Sequence, residues 1–203
     1  MRAAAVRRLF ATGAEPRRMT DDSLAWDRLD AETAYSCPGF DVVNERVRLP
    51  DGTETDFDYL SEPPAVVVLP LTPDGEVVVI EEWRQAVERV NRGVPAGSTE
   101  PDDDADLAAA ARRELREETG YEADRIEHRG AVEPANGFAD SVHHHFVARG
   151  CRPTAAQDLD ADESIRVDTA PFEELLTAAV AGDLRDARAV VAVLRHAAAT
   201  ERL

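Results

Sequence analysis

The chain has 203 residues, 43% hydrophobic and 32% charged, and its 41 acidic against 23 basic residues leave a formal net charge of −18. That length suits one domain of ordinary size with a real core and is too short for two independent enzymes. No apolar run approaches the roughly 18 residues that a spanning helix requires, and Coulomb repulsion opposes broad attraction to nucleic acid or anionic lipid. A soluble globular protein is expected, with a small-molecule ligand and with neither nucleic acid nor membrane as partner; a polyanionic ligand would need a cation as intermediary.

All the basic residues are Arg, with no Lys in the sequence. Such an acidic, Lys-free surface points to a salt-loving host, because self-repulsion is screened once the Debye length falls to about 3 Å near 1 M salt; a GC-rich genome that swaps Lys for Arg is the alternative. Cys37 and Cys151 are the two cysteines, too few and too far apart for a disulfide framework or a zinc ligand set, which points to the cytoplasm. The first residues, Met1 to Phe10, are Arg-rich with an apolar stretch too brief for a secretory signal. They read as a loose leader within residues 1–34, and Met19 serves equally well as a start.

In chain order, a short helix or turn is expected around Trp26, then strands over Phe40 to Val43 and Glu45 to Leu49, a Pro50-Asp51-Gly52 turn and a return strand from Glu54 to Leu60. Residues 35–62 thus read as a β-hairpin extension. Ala65 to Leu69 and Glu76 to Ile80, separated by Thr72-Pro73-Asp74-Gly75, are β-branched runs apolar enough to be buried on both faces, hence central strands. An acidic run, Asp102 to Asp104, leads into an Ala-rich helix from Ala105 to Thr119, closed by Gly120. Beyond it come strands over Ile126 to Val132, Val142 to Ala148 and Ile165 to Val167, an acidic loop from Ala155 to Asp162, and helices over Pro171 to Ala181 and Asp186 to Ala199. Hairpins mixed with inserted helices favour an α+β fold, an α/β/α sandwich, rather than a doubly wound one.

The chemistry concentrates in Arg113-Glu114-Leu115-Arg116-Glu117-Glu118-Thr119-Gly120-Tyr121. At about 100° per residue, Glu114, Glu117 and Glu118 share an arc of about 100°, while Leu107, Ala111 and Leu115 recur on the other face. Three carboxylates side by side repel, which makes sense if hard cations with a taste for oxygen ligands sit among them. A solvated Glu/Arg-rich helix carrying an ordinary Arg113–Glu117 pair is the plain alternative.

The string resembles the C-terminal half of the Nudix box, and Pro95-Ala96-Gly97 stands where Nudix hydrolases have a Gly-bearing loop. The likeness runs from about Phe40 to the last helix and is nearest to the ADP-ribose pyrophosphatase branch, with residues 63–203 as the Nudix domain. The resemblance implies a Nudix-type α/β/α sandwich with a mixed sheet, and hydrolysis of the pyrophosphate of a nucleoside diphosphate sugar, ADP-ribose leading, with Mg²⁺ or Mn²⁺. Carried over by position, Glu114, Glu117, Glu118 and the Ala96 carbonyl would hold metal, and Arg113 would orient Glu117. The base would be Glu163, or next Asp162, and Arg84 and Trp83 would contact substrate together with Phe138. The hairpin extension resembles the segment with which branch members form an intertwined homodimer.

The sequence departs from the branch pattern at Gly93, where a Glu is usual, at Asn136, where a Pro is usual, and in a loop between Gly97 and Arg113 that is longer by two residues. Another sugar nucleotide or a dinucleoside polyphosphate is therefore an alternative substrate, and a nucleotide-sensing domain without turnover is the alternative outside enzymes. His143-His144-His145 reads as a pleated strand with surface or site-facing imidazoles, the outer two on one face.

Overall fold

The computed structural model describes residues 22–100, 106–161 and 163–203. The chain divides between Glu62 and Pro63 into two compact units. In the first, β1 (Asp27–Ser36), β2 (Asp41–Arg48) and β3 (Glu54–Ser61) form an antiparallel sheet in that order. The short helix or turn expected around Trp26 is a single 3-10 turn at Asp22–Leu24 just before it, and β1, which was not expected, follows at once and crosses the boundary expected at residue 34. Its odd positions Leu29, Ala31, Thr33 and Tyr35 do alternate, but the interleaved charges hide the pattern, and pairing with β2 supplies the ladder that propensity does not. Strand β2 is continuous where two pieces were expected, because Asn44, a poor strand former, donates from Nδ2 to Asp58 Oδ1 on β3 at 2.8 Å. Trp26 meets Phe57 edge-on at 5.8 Å, and buried Glu45 pairs with Arg28 at 2.7 Å while accepting from the Tyr59 hydroxyl at 3.2 Å.

In the second unit, the β-branched runs become β4 (Ala65–Leu71) and β5 (Glu76–Arg84), followed by β6 (Arg89–Gly93), β7 (Ala96–Ser98) and α1 (Leu107–Thr119). Then come β8 (Tyr121–Glu122), β9 (Arg125–Val132), β10 (His143–Arg149), β11 (Arg152–Pro153) and β12 (Ile165–Pro171), and finally α2 (Phe172–Ala181) and α3 (Ala187–Ala199). The main sheet runs β12-β5-β4-β10-β9, with β6 added to β5 and β7 to β4. Only the β4/β10 pairing in it is parallel, so the sheet is mixed, as expected. Strand β5 outruns its apolar stretch by four residues, three of them charged, because β6 folds back on it, pairing Glu82 with Asn91 and Arg84 with Arg89.

Alternation along β4 and β5 sends two sets of side chains to opposite faces. Val67, Leu69, Leu71, Val77 and Val79 pack under α2 and α3; Val66, Val68 and Val78 join Phe146 and Ala148 under Ala110, Ala111 and Leu115 of α1. The result is the α+β, three-layer α/β/α sandwich. Because Leu115 is fully buried, Leu115→Ala is expected to destabilise the protein by about 2–5 kcal/mol, measured as a lower denaturant midpoint in equilibrium unfolding at molar salt.

Candidate active site

Helix α1 is fixed at both ends before its acidic face does anything. The Asp106 side chain accepts from the N–H groups of Ala108 and Ala109, both at 3.1 Å. Gly120 closes the helix at φ 72°, where a side chain would be strained and a Cβ would stand 2.3 Å from the Ala155 carbonyl oxygen. The structure corrects the expectation that these carboxylates face away from the core: at about 100° per residue Glu114 and Glu118 fall on the same arc as Leu107, Ala111 and Leu115, and both are buried, at 8% and 3% exposure. What covers them is the segment running into β7. The Ala96 N–H donates to Glu118 Oε2 at 3.0 Å. Glu114 lies so close to Gly97 that a Cβ there would be 2.2 Å from Oε2, so any larger residue would push the carboxylate out of its present place. Arg113 ties the face together: Nη1 is 2.8 Å from Glu114 Oε1 and donates to Glu117 Oε2 at 2.9 Å, while Nη2 reaches the Ser98 carbonyl at 3.3 Å.

Burial pushes the Glu114 carboxyl up to about 7, with Arg113 pulling it down and Glu117 and Glu163 adding repulsion. Burial likewise pushes Glu118 up to about 8 against the Ala96 hydrogen bond, and Glu114 and Glu163 raise it further. Glu163 reaches these groups because its loop is docked on the carbonyl end of α1: Thr154 and Ala155 donate to the Gly120 carbonyl, Asp158 to that of Glu117 at 2.9 Å, and Gln157 Nε2 to that of Glu118 at 2.7 Å. Within the loop, Glu163 accepts from the Asp160 N–H at 3.0 Å. Asp162, the other expected base, lies outside the described residues.

The structure therefore brings together Ala96, Arg113, Glu114, Glu117, Glu118 and Glu163. Arg84 instead forms an ion pair with Glu82 at 2.6 Å. Trp83 is half exposed and donates to Gln85 at 3.1 Å, Phe138 is exposed on the loop between β9 and β10, and neither joins the hydrogen-bond network of the glutamates. The histidines correct one expectation. His143 and His145 do share a face, but His145 is neither at the surface nor in this site; it is 2% exposed, on the side of β10 that also places Val147 under α3.

Sequence reading missed Gln157 and a second ring of charge. Glu82 is buried and its carboxyl raised by that burial despite Arg84, and Arg188 at the start of α3 acts on both Glu82 and Glu118. Burial raises Asp186, but hydrogen bonds from the Arg188 side chain, at 2.8 and 3.3 Å, and from the Ala189 and Arg188 N–H groups outweigh it and hold the carboxyl low. An Asp-x-Arg at a helix start is legible as a cap; its approach to an acidic cluster across the chain is not.

As they stand, no three His, Cys, Asp or Glu side chains among the described residues enclose an ion. The donor set nonetheless fits a divalent cation: all oxygens, two of them on desolvated carboxylates whose charges repel and which a cation would relieve. Mg²⁺ in particular takes one or two protein carboxylates and keeps waters, so a closed cage is unnecessary.

Residues 61–191 match the NUDIX domain model. Over 84% of its length the chain is 30% identical to an ADP-ribose pyrophosphatase of Bacillus subtilis, covering 92% of that protein. It is 32% identical to a methanol dehydrogenase activator of Bacillus methanolicus over 72% of the chain and 79% of that protein. A solved ADP compounds hydrolase superimposes with a TM-score of 0.75 at 22% identity, over 88% of this chain and 97% of that one, a likeness of fold. The chain belongs to the Nudix family. Within it, the protein is a Nudix pyrophosphohydrolase. Such hydrolases generally use divalent metals, and no helix among the described residues is long and apolar enough to cross a membrane.

The raised carboxyls set a pH signature for the metal-free protein. Glu118 moves from an ordinary value of 4.5 to about 8 on folding, so the folded chain holds a proton that the unfolded chain has released. Its stability contribution is full below about pH 4.5 and is lost as the pH rises through 8. In chelator, the natural chain should lose melting temperature between pH 6 and 8.5 more steeply than Glu118→Gln; parallel melting curves would refute this.

Proposed function

We propose that the protein hydrolyses the pyrophosphate bond of a nucleoside diphosphate sugar, ADP-ribose favoured, to a nucleoside monophosphate and a sugar phosphate. The observation that carries the reading is the pair of buried carboxylates, Glu114 and Glu118, held by β7 within an acidic cluster that Glu117 and Glu163 complete. The likeness to an ADP-ribose pyrophosphatase over most of both chains favours ADP-ribose. The Ala96 carbonyl, Glu114, Glu117 and Glu118 would hold Mg²⁺ or Mn²⁺. Bound there, the metal neutralises pyrophosphate charge and lowers the pKa of a coordinated water.

The chain's own groups do the rest. Arg113 keeps Glu117 and Glu114 aimed at one side of α1. Glu163 takes the proton of the attacking water on its carboxylate as the new P–O bond forms and the anhydride oxygen leaves with its phosphate. Arg84, whose partner Glu82 lies one strand-pleat repeat away, turns from that ion pair to a substrate phosphate, with Trp83 and Phe138 offering exposed aromatic surface to the nucleoside. Gly93 and Asn136, where the branch pattern is not kept, favour a second reading in which a different sugar nucleotide is preferred.

The quaternary reading is a homodimer formed through the first unit. Strand β1 is exposed along its whole length and shows Leu29 and Tyr35 to solvent, beside exposed Trp26, the kind of apolar edge that a second copy would cover. A cytoplasm with high internal salt is the proposed setting, given the Lys-free, acidic composition.

Two measurements test these readings. In about 2 M KCl with Mg²⁺, the natural chain should convert ADP-ribose to AMP and ribose 5-phosphate, Glu118→Gln should lose most of the activity, and Glu163→Gln should fall by about 10²–10⁴-fold in kcat. A folded natural chain inert on ADP-ribose but active on another sugar nucleotide would move the substrate, not the chemistry. Light scattering in the same salt should give twice the 22.2 kDa chain mass; a single monomer peak refutes the dimer.

A further inference from the structure

Away from the glutamates, a cavity of about 250 Å³ opens between the α3-facing side of β9 and β10 and the C-terminal half of α3. Arg129, His145 and Arg195 contribute its polar walls, and Val147, Ala192 and Ala199 its apolar ones. His145 is 2% exposed, and neither ring nitrogen has a hydrogen-bond partner among the described residues. Native cores seldom keep two such atoms unmatched. Arg195, on the rim, reaches only the backbone carbonyls of Arg129 and Ala131, each at 3.4 Å, and has no carboxylate partner among the described residues. Arg129 is shared with Glu127.

The groups that act on the two buried histidines of this cavity are all basic. Although Glu127 pairs with Arg129 and Arg149 and Glu173 pairs with Arg202, Arg195 keeps a guanidinium with no carboxylate partner among the described residues. The groups acting on His145 are Arg195, His143, His128 and His144, and those acting on neighbouring His196 are Arg149, Arg202 and Arg129. In a chain of net charge −18, such a locally cationic hollow selects anions that the rest of the surface repels. Its volume and apolar walls suit a ligand with a carbon body rather than a bare ion, and guanidinium forks match phosphate and carboxylate heads alike. His145, kept neutral at pH 7 because burial lowers it to about 4, offers one donor and one acceptor to a hydroxyl group. The cavity is not the hydrolysis site: Arg188, which acts on Glu118, precedes Arg195 by about 10 Å along α3.

We propose that this cavity binds a small hydroxylated organic anion, its phosphate or carboxylate head on Arg195 and Arg129 and its body against His145 and Val147. The proposal stands independently of the substrate of hydrolysis. Titration calorimetry on the full chain in chelator, at the lowest salt at which its melting curve still shows a folded protein, tests it with ribose 5-phosphate and, separately, malate as probes. The expected result is 1:1 binding of at least one probe with a Kd below about 10 mM, weakened about tenfold or more by Arg195→Gln and by His145→Phe, and unchanged by Glu118→Gln. Which probe binds identifies the head group. Arg195 is exposed, so Arg195→Gln keeps the fold and carries the test even where His145→Phe does not. Absence of binding by both probes, binding indifferent to Arg195→Gln, or binding abolished by Glu118→Gln would each overturn it.

Discussion

Two carboxylates removed from water on one helix face constrain everything around them. Glu114 and Glu118 are buried by the segment entering β7, and desolvation raises both toward neutrality. A side chain in that position is stabilised only if something answers its charge. The protein supplies partial answers: one backbone N–H from Ala96 and the field of Arg188 for Glu118, and for Glu114 the Arg113 guanidinium, which it shares with Glu117. Those answers are too few to neutralise the cluster, and that deficit is what a divalent cation fits. The same crowding explains Gly97, where even a methyl group would collide with the Glu114 carboxylate.

The sandwich serves this arrangement from both sides. Leu115 and Ala111 anchor α1 on one sheet face, so the adjoining arc of the helix, which carries Glu114 and Glu118, is fixed in azimuth to within the tolerance of core packing. The carbonyl end of α1, left without helical partners, is used to dock the loop bearing Glu163 through Asp158, Gln157 and the Gly120 carbonyl. A helix terminus that needs donors and a loop that needs a fixed position satisfy one another. On the far side of the sheet, the start of α3 brings Arg188 and Asp186 toward the same cluster, while its other end forms the cationic hollow at His145. One helix thus borders two electrostatic environments of opposite sign.

Elements whose residues agree with their own burial were legible in advance. The β-branched runs of β4 and β5, the Gly-terminated α1 and the last two helices follow their periodicities closely, whereas the expected caps Asp102 to Asp104 and start at Ala105 lie outside the described residues and the cap of α1 is Asp106. Those that depend on a distant partner were not. Strand β1 is held by β2 despite its charges, the polar end of β5 by β6, and β7 by β4. The histidine run shows the same division: period-two alternation gave the shared face of His143 and His145, but burial of His145 follows from the placement of α3 over β10.

The sequence by itself determined the acidic surface, the α+β class, the sandwich layers and the helix face on which Glu114, Glu117 and Glu118 gather, because helical and strand periods are local properties of the chain. Its Nudix-box string was enough to indicate the family. Tertiary structure alone decided that two of those glutamates are dry, that Glu163 stands within their field, that Arg84 is engaged by Glu82, and that Arg188 closes the cluster from α3. Desolvation and long-range charge depend on which segments meet in space, and those meetings are encoded only in the packing of the whole unit.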